Sequence, residues 1–151
     1  MATLVDKITA SEVHPQVIDG CMQLIETEVA SKKGFSGAAV KTGYAVVKKL
    51  KPGMIKDAVT KLLPDFAVAL EPLYVDSGAV DAGDGSGDVF CKFLTANQDR
   101  AADALLTVTD AKAQGAKNKT LKKTYDRLRG GAKTHVTAAI PNLAKTLGRY
   151  A

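Results

Sequence analysis

The side chains best suited to chemistry in this sequence are basic, and they are concentrated toward its C-terminal end. From Ala111 to Ala151 the chain carries ten Lys or Arg residues and a single acid, Asp126, a net charge of +9. The rest of the chain carries eleven basic and fifteen acidic residues, a net charge of −4. The overall charge of +5 therefore hides a strongly basic segment at residues 112–149.

Helical spacing places several of these cations on one side of a predicted helix, away from its apolar residues. Such a stripe can bind a nucleic acid by releasing counterions from the phosphate backbone, or bind an acidic protein or an anionic lipid surface. Apart from Tyr125, which we assign to the core, no aromatic residue interleaves with the cations, and no helix-turn-helix is evident. Binding without sequence readout is therefore expected, and the candidate anion-binding residues are Lys119, Lys122, Lys123, Arg127, Arg129 and Lys133.

The same basic charge has two simpler interpretations. It can be a solvated face that keeps the protein soluble. It can also be compensated within the fold, because five acids and no bases lie between Glu71 and Asp88. If the basic helices dock near that acidic segment, no external partner is needed.

A second candidate site lies in the acidic, glycine-rich segment. Asp81, Asp84 and Asp88 offer carboxylate oxygens, which a hard cation such as Ca²⁺ prefers. Their spacing of three and four residues differs from that of an EF-hand loop, and no Glu stands at the closing position. They are weak metal candidates, Asp88 has an alternative role as a helix cap, and the sequence predicts no cofactor.

Residues for catalysis are few. His14 and His135 are the only histidines, and Asp99, Asp103 and Asp110 fall on one side of a helix without a partner motif. Nucleotide-binding and penicillin-binding signatures are absent or incomplete. An enzyme would need a site that only the fold assembles, so a non-enzymatic protein is favoured.

The elements that position these residues are predicted to be helices. Apolar residues recur every three or four positions along most of the chain, and no stretch alternates strictly between polar and apolar. We predict an all-α fold, a compact bundle of about seven helices in a single domain over residues 1–151, with no sheet. Residues 76–88 are predicted to form a loop that separates two helical halves.

Prolines and glycines set the predicted helix boundaries. Pro64 is expected to break or kink its helix, and Pro141 to kink or restart the last one. The pair Gly130–Gly131 is expected to end a short helix that carries the cationic stripe.

Function is predicted only in outline. The leading hypothesis is a helical interaction protein that binds an anionic partner, a nucleic acid or an acidic protein, through its basic C-terminal surface. The alternatives are a structural or homo-oligomerising module with self-compensated charge, and a small enzyme. Two separated cysteines, no signal peptide and no membrane-spanning apolar run predict a cytoplasmic location.

Overall fold

Every regular element in the described part of the chain is helical. The computed structural model describes residues 3–31, 34–50 and 53–151, and these ranges contain seven α-helices and no strand. The all-α prediction is therefore confirmed. The helices are α1 (Leu4–Thr9), α2 (His14–Ser31), α3 (Gly34–Leu50), α4 (Met54–Asp76), α5 (Ser86–Ala96), α6 (Gln98–Gln114) and α7 (Lys119–Gly148).

The first helix, α1, was not predicted. It is a six-residue helix that begins with a capping box, in which Thr3 accepts from the Asp6 backbone and Asp6 accepts from the Thr3 backbone. Leu4 and Ile8, one turn apart, are both fully buried. So short a helix gains its stability from packing rather than from propensity, which explains why periodicity did not reveal it.

A break of α4 at Pro64, one of the two outcomes predicted there, does not occur. The helix continues as one element through Pro64 and Pro72. A proline removes one hydrogen bond from a helix interior, but Leu63, Ala67 and Leu70 form a buried row that passes Pro64 on the same face. Burial of that row offsets the lost bond.

The predicted end of a helix at Gly130–Gly131 is wrong. α7 runs for 30 residues through both glycines and through Pro141. Each interior glycine costs about 1 kcal/mol relative to alanine. Contacts of α7 with α2, α3, α5 and α6 outweigh this cost, because they hold the helix along its whole length.

The loop within residues 76–88 is shorter than predicted. Asp76 ends α4, and α5 already begins at Ser86. Two 3-10 turns, Ala79–Asp81 and Gly83–Gly85, lie between them, and the buried Ala79 side chain anchors the first. The connection is therefore a structured turn between two packed helices.

The core is aliphatic, with one aromatic pair at its centre. Tyr74 and Phe90 are fully buried and meet edge to face, with ring centroids 5.0 Å apart. Nearby, α5 crosses α7 at Gly87 and Gly148, where a Cβ on Gly87 would lie 1.9 Å from the Gly148 carbonyl oxygen. Only glycine allows this close crossing.

Candidate functional site

Two of the six candidate anion-binding residues are paired with carboxylates of the same chain. The Arg129 guanidinium donates to both carboxylate oxygens of Asp110, at 2.8 and 3.2 Å. Lys133 Nζ lies 2.5 Å from Asp103 Oδ1. Both acids belong to α6, so the pairs join α7 to α6, and part of the basic charge is compensated within the fold.

Tyr125 completes the site around Asp110. Its hydroxyl donates to the Asp110 carboxylate and lies 2.8 Å from Thr109 Oγ1. The hydrogen bond from Arg129, followed by that from Tyr125, lowers the pKa of Asp110. Burial, followed by the bond to Asp110, raises the pKa of Tyr125. The carboxylate stays ionised and the phenol protonated, an arrangement suited to holding two helices together.

The other four candidates form an exposed cationic stripe on the first turns of α7. Within the described ranges they make no ion pair. The first turn of α7 holds no acid, although the amino end of a helix favours negative charge. Asn118 caps this end by accepting from the Thr120 and Leu121 backbone. The cationic stripe consists of Lys119, Lys122, Lys123 and Arg127.

Among the described residues, no Lys or Arg of the basic C-terminal segment forms an ion pair with the acidic segment between Glu71 and Asp88. Asp76 pairs with Arg100 at 2.7 Å, and Asp88 with Lys92 one turn along α5 at 3.0 Å. Asp81 and Asp84 lie in the 3-10 turns. In the part of the chain that the structure describes, no three His, Cys, Asp or Glu side chains come together as metal ligands. The candidate metal residues are therefore not assembled into a site.

The central cavity is a partly open space of about 290 Å³ between helices of the bundle. Sequence reasoning missed it, although the wide apolar face of α2 was its signal. Val17, Ile18 and Cys21 in the first half of that face are buried, whereas the later residues Ile25 and Val29 are only half-buried and line the cavity. The other lining residues come mainly from α4 and α7 and include Val59, Leu63, Phe66, Val136, Ala139 and Leu143.

Few polar groups reach the wall of the central cavity. Glu28 and His135 line it, and Asn142 Nδ2 donates to Glu28 Oε1 at 2.7 Å. Cys21 also lines it, and burial raises the pKa of its thiol to about 11. This sulfur is therefore a protonated, apolar wall atom near neutral pH. It is a poor nucleophile, because nucleophilic attack needs the thiolate.

A second cavity, of about 420 Å³, lies beside the first. Val29 of α2 and Val40 of α3 line both cavities. The second cavity is apolar along α7, but the cations Lys112 and Lys122 also line it. Lys122 thus belongs to both the second cavity and the cationic stripe.

A polar cluster lies away from both cavities, where α1, α4 and α5 meet the end of the described chain. Lys7 Nζ donates to Tyr74 Oη at 2.5 Å and to Ser86 Oγ at 3.2 Å. All three donate to the Ala151 carbonyl oxygen, at 2.7 to 3.2 Å. Each donor has an acceptor here, so the cluster serves as a clamp that fixes residue 151 in the fold.

Residues 4–151 match a family described as a family of unknown function, DUF6918. The chain belongs to this family. The match spans the seven helices described in the DUF6918 chain, including the short α1. No curated protein and no solved structure matches it.

The helices of the DUF6918 chain also bear on a membrane role. Within the described ranges, none is both long enough and apolar enough to cross a lipid bilayer.

Proposed function

We propose that this protein binds a small apolar molecule in the central cavity. The observation that carries the proposal is the cavity itself, about 290 Å³ of space walled almost wholly by apolar side chains. Its volume is near the lower bound of small-molecule pockets, roughly 300 Å³, and such pockets are mostly apolar with a few polar groups. An apolar cavity of about half this volume is enough to hold benzene in another helical protein.

The apolar character of the wall supports a ligand. Apolar surface that stays in contact with water is unfavourable by roughly 25 cal/mol per Å². A molecule that covers this wall removes its apolar side chains from water.

The walls favour binding over catalysis. The Cys21 thiol is held protonated, with its pKa raised to about 11. Asp103 and Asp110 are engaged with basic residues of α7 outside the cavity. Glu28 and His135 are the remaining acid–base candidates at the wall, and without a nucleophile beside them they do not make a reaction site.

The test is calorimetric binding of decan-1-ol, a neutral chain, to the wild type and to two matched variants. Ala139 lines the central cavity, whereas its neighbour Ala138 is exposed on the same helix. Ala139→Leu should abolish binding by occupying the space, and Ala138→Leu should leave it unchanged. Wild-type binding should show a negative heat-capacity change. Absence of decanol binding, or equal loss in both variants, would rule the proposal out.

A second function, binding of a polyanion, is favoured by the cationic stripe. Its four residues are exposed and make no ion pair within the described ranges, so their charge is available to a partner. Arg129 and Lys133, already paired with α6, are expected to contribute less. Binding would be electrostatic, without sequence readout.

Salt dependence of duplex DNA binding tests this second function. Four phosphate contacts predict a logarithmic salt slope of roughly −3.6. Lys119→Gln should reduce the slope by about one, and Arg129→Gln by much less. A flat salt dependence, or no binding at low ionic strength, would remove this function from consideration.

Two broader expectations belong with these proposals. Both cysteines are free thiols, which fits the reducing interior of a cell, so we propose a cytoplasmic location. Homo-oligomerisation stays a prediction. Val68 and Val75 are exposed two turns apart on α4 and offer an apolar surface for such contact.

A further inference from the structure

The two cavities together form a longer path than either one alone. Val29 of α2 and Val40 of α3 belong to the walls of both, so the two spaces adjoin at these side chains. Both valines are half-buried and therefore lie at the edge of the packed interior. An extended molecule that enters the central cavity therefore has the second cavity as its continuation.

The two ends of this path differ in charge. The wall of the central cavity carries Glu28, and no Lys or Arg is among its described lining residues. The second cavity carries Lys112 and Lys122 and no acid among its described lining residues. An anionic group would be attracted at the second end, where the two lysines lie.

We infer that the ligand is a single-chain carboxylate. Its alkyl chain occupies the central cavity and passes Val29 and Val40, and its carboxylate meets Lys122 and Lys112 in the second cavity. This inference rests on the proposed binding function and adds the class of ligand and its direction.

Lys122 is the stronger of the two anchors. It has no ion pair within the described ranges, whereas Lys112 Nζ lies 3.0 Å from Asp65 Oδ2. That pair is about half exposed on both sides, 58% and 46%, so it is weak and open to exchange with an incoming carboxylate. Asp65 is then left in solvent.

The experiment compares decanoate with decan-1-ol at pH 8, by calorimetry, on the full chain. Lys122→Gln should weaken decanoate binding about five-fold and leave decanol binding unchanged. The matched control is Lys123→Gln, which removes the same charge from the adjacent residue, one that does not line the second cavity. It should affect neither ligand appreciably.

Each contrary outcome has a distinct meaning. Equal decanoate affinities of the wild type and Lys122→Gln, with decanol still bound, would overturn this inference and leave the proposed function standing. Equal weakening by Lys122→Gln and Lys123→Gln would also overturn it, because the effect would then be general charge attraction. Failure of both ligands to bind would refute the proposed function and this inference together.

Discussion

Lys7 Nζ lies 3.0 Å from the carbonyl oxygen of Ala151, a residue 144 positions later in the chain. The same ammonium group donates to Tyr74 and Ser86, and it lies 5.2 Å from the centre of the Tyr74 ring. One charged side chain of α1 therefore connects α4, α5 and the residues beyond α7. This is the longest-range polar contact in the described structure.

Replacement of Lys7 should destabilise the whole fold. Lys7→Met keeps the length of the side chain but leaves the Ala151 carbonyl with fewer donors, and we expect a loss of about 1–3 kcal/mol. Urea unfolding followed by circular dichroism measures it. Lys92→Met is the control, because Lys92 is 78% exposed and bonded only to its helix neighbour Asp88; its effect should stay within about 0.5 kcal/mol. Equal effects would mean that the clamp carries no stability.

The crossing of α5 and α7 should tolerate no side chain at Gly87. Gly87→Ala would bring a Cβ into the Gly148 carbonyl oxygen, so the helices must separate. We expect a loss of about 1–3 kcal/mol, typical of overpacking. Thermal unfolding measures the change.

Gly130→Ala is the matched control for Gly87→Ala, and it also tests the length of α7. Nothing lies within 4 Å of a Cβ at Gly130, which sits inside the helix. This substitution should stabilise the protein by about 0.5–1 kcal/mol. Destabilisation by Gly130→Ala would contradict a continuous α7.

Stability should depend on pH through Asp110. Arg129, followed by Tyr125, lowers the folded-state pKa of this carboxyl. A lowered folded pKa gives stability that is present above the ordinary carboxyl pKa, about 3.9, and is lost as pH falls through the folded value. Asp110→Asn should therefore be less stable than the wild type at pH 7, and the difference should shrink in acid. A gap that persists unchanged at pH 2 would count against the ion pair.

The two cysteines should differ sharply in reactivity. Cys21 is 7% exposed and its pKa is raised to about 11, whereas Cys91 is half-buried on α5. A disulfide reagent such as Ellman's reagent at pH 8 should modify Cys91 in the folded protein and Cys21 only after denaturation. Rapid modification of Cys21 in the native state would mean that the wall of the central cavity opens readily.

The helical class could be read from the sequence because periodicity is a local property. The helix bounds could not, because prolines and glycines were judged by local cost alone. Pro64 and Gly130 each lie inside a helix that tertiary contacts hold together. The predicted number of helices matches the observed number partly because two errors offset each other. The short α1 was not predicted, and two predicted breaks do not occur.

The candidate sites show the same division between local and long-range information. Helical spacing placed Lys119, Lys122 and Arg127 on one exposed stripe, because all three lie on a single helix. The pairing of Arg129 with Asp110 depends on how α6 docks on α7. The cavities are also a property of packing, and the sequence shows only that the apolar face of α2 is wide.

The most direct measurement locates the binding site of a neutral alkyl chain. Methyl-labelled protein titrated with decan-1-ol and observed by NMR should show shifts at Leu63 and Leu143, which line the central cavity. Leu94, fully buried elsewhere in the core, should remain unchanged. The account predicts saturable shifts confined to the cavity wall. Shifts at the exposed Val68 and Val75 instead, or no shifts at all, would contradict it.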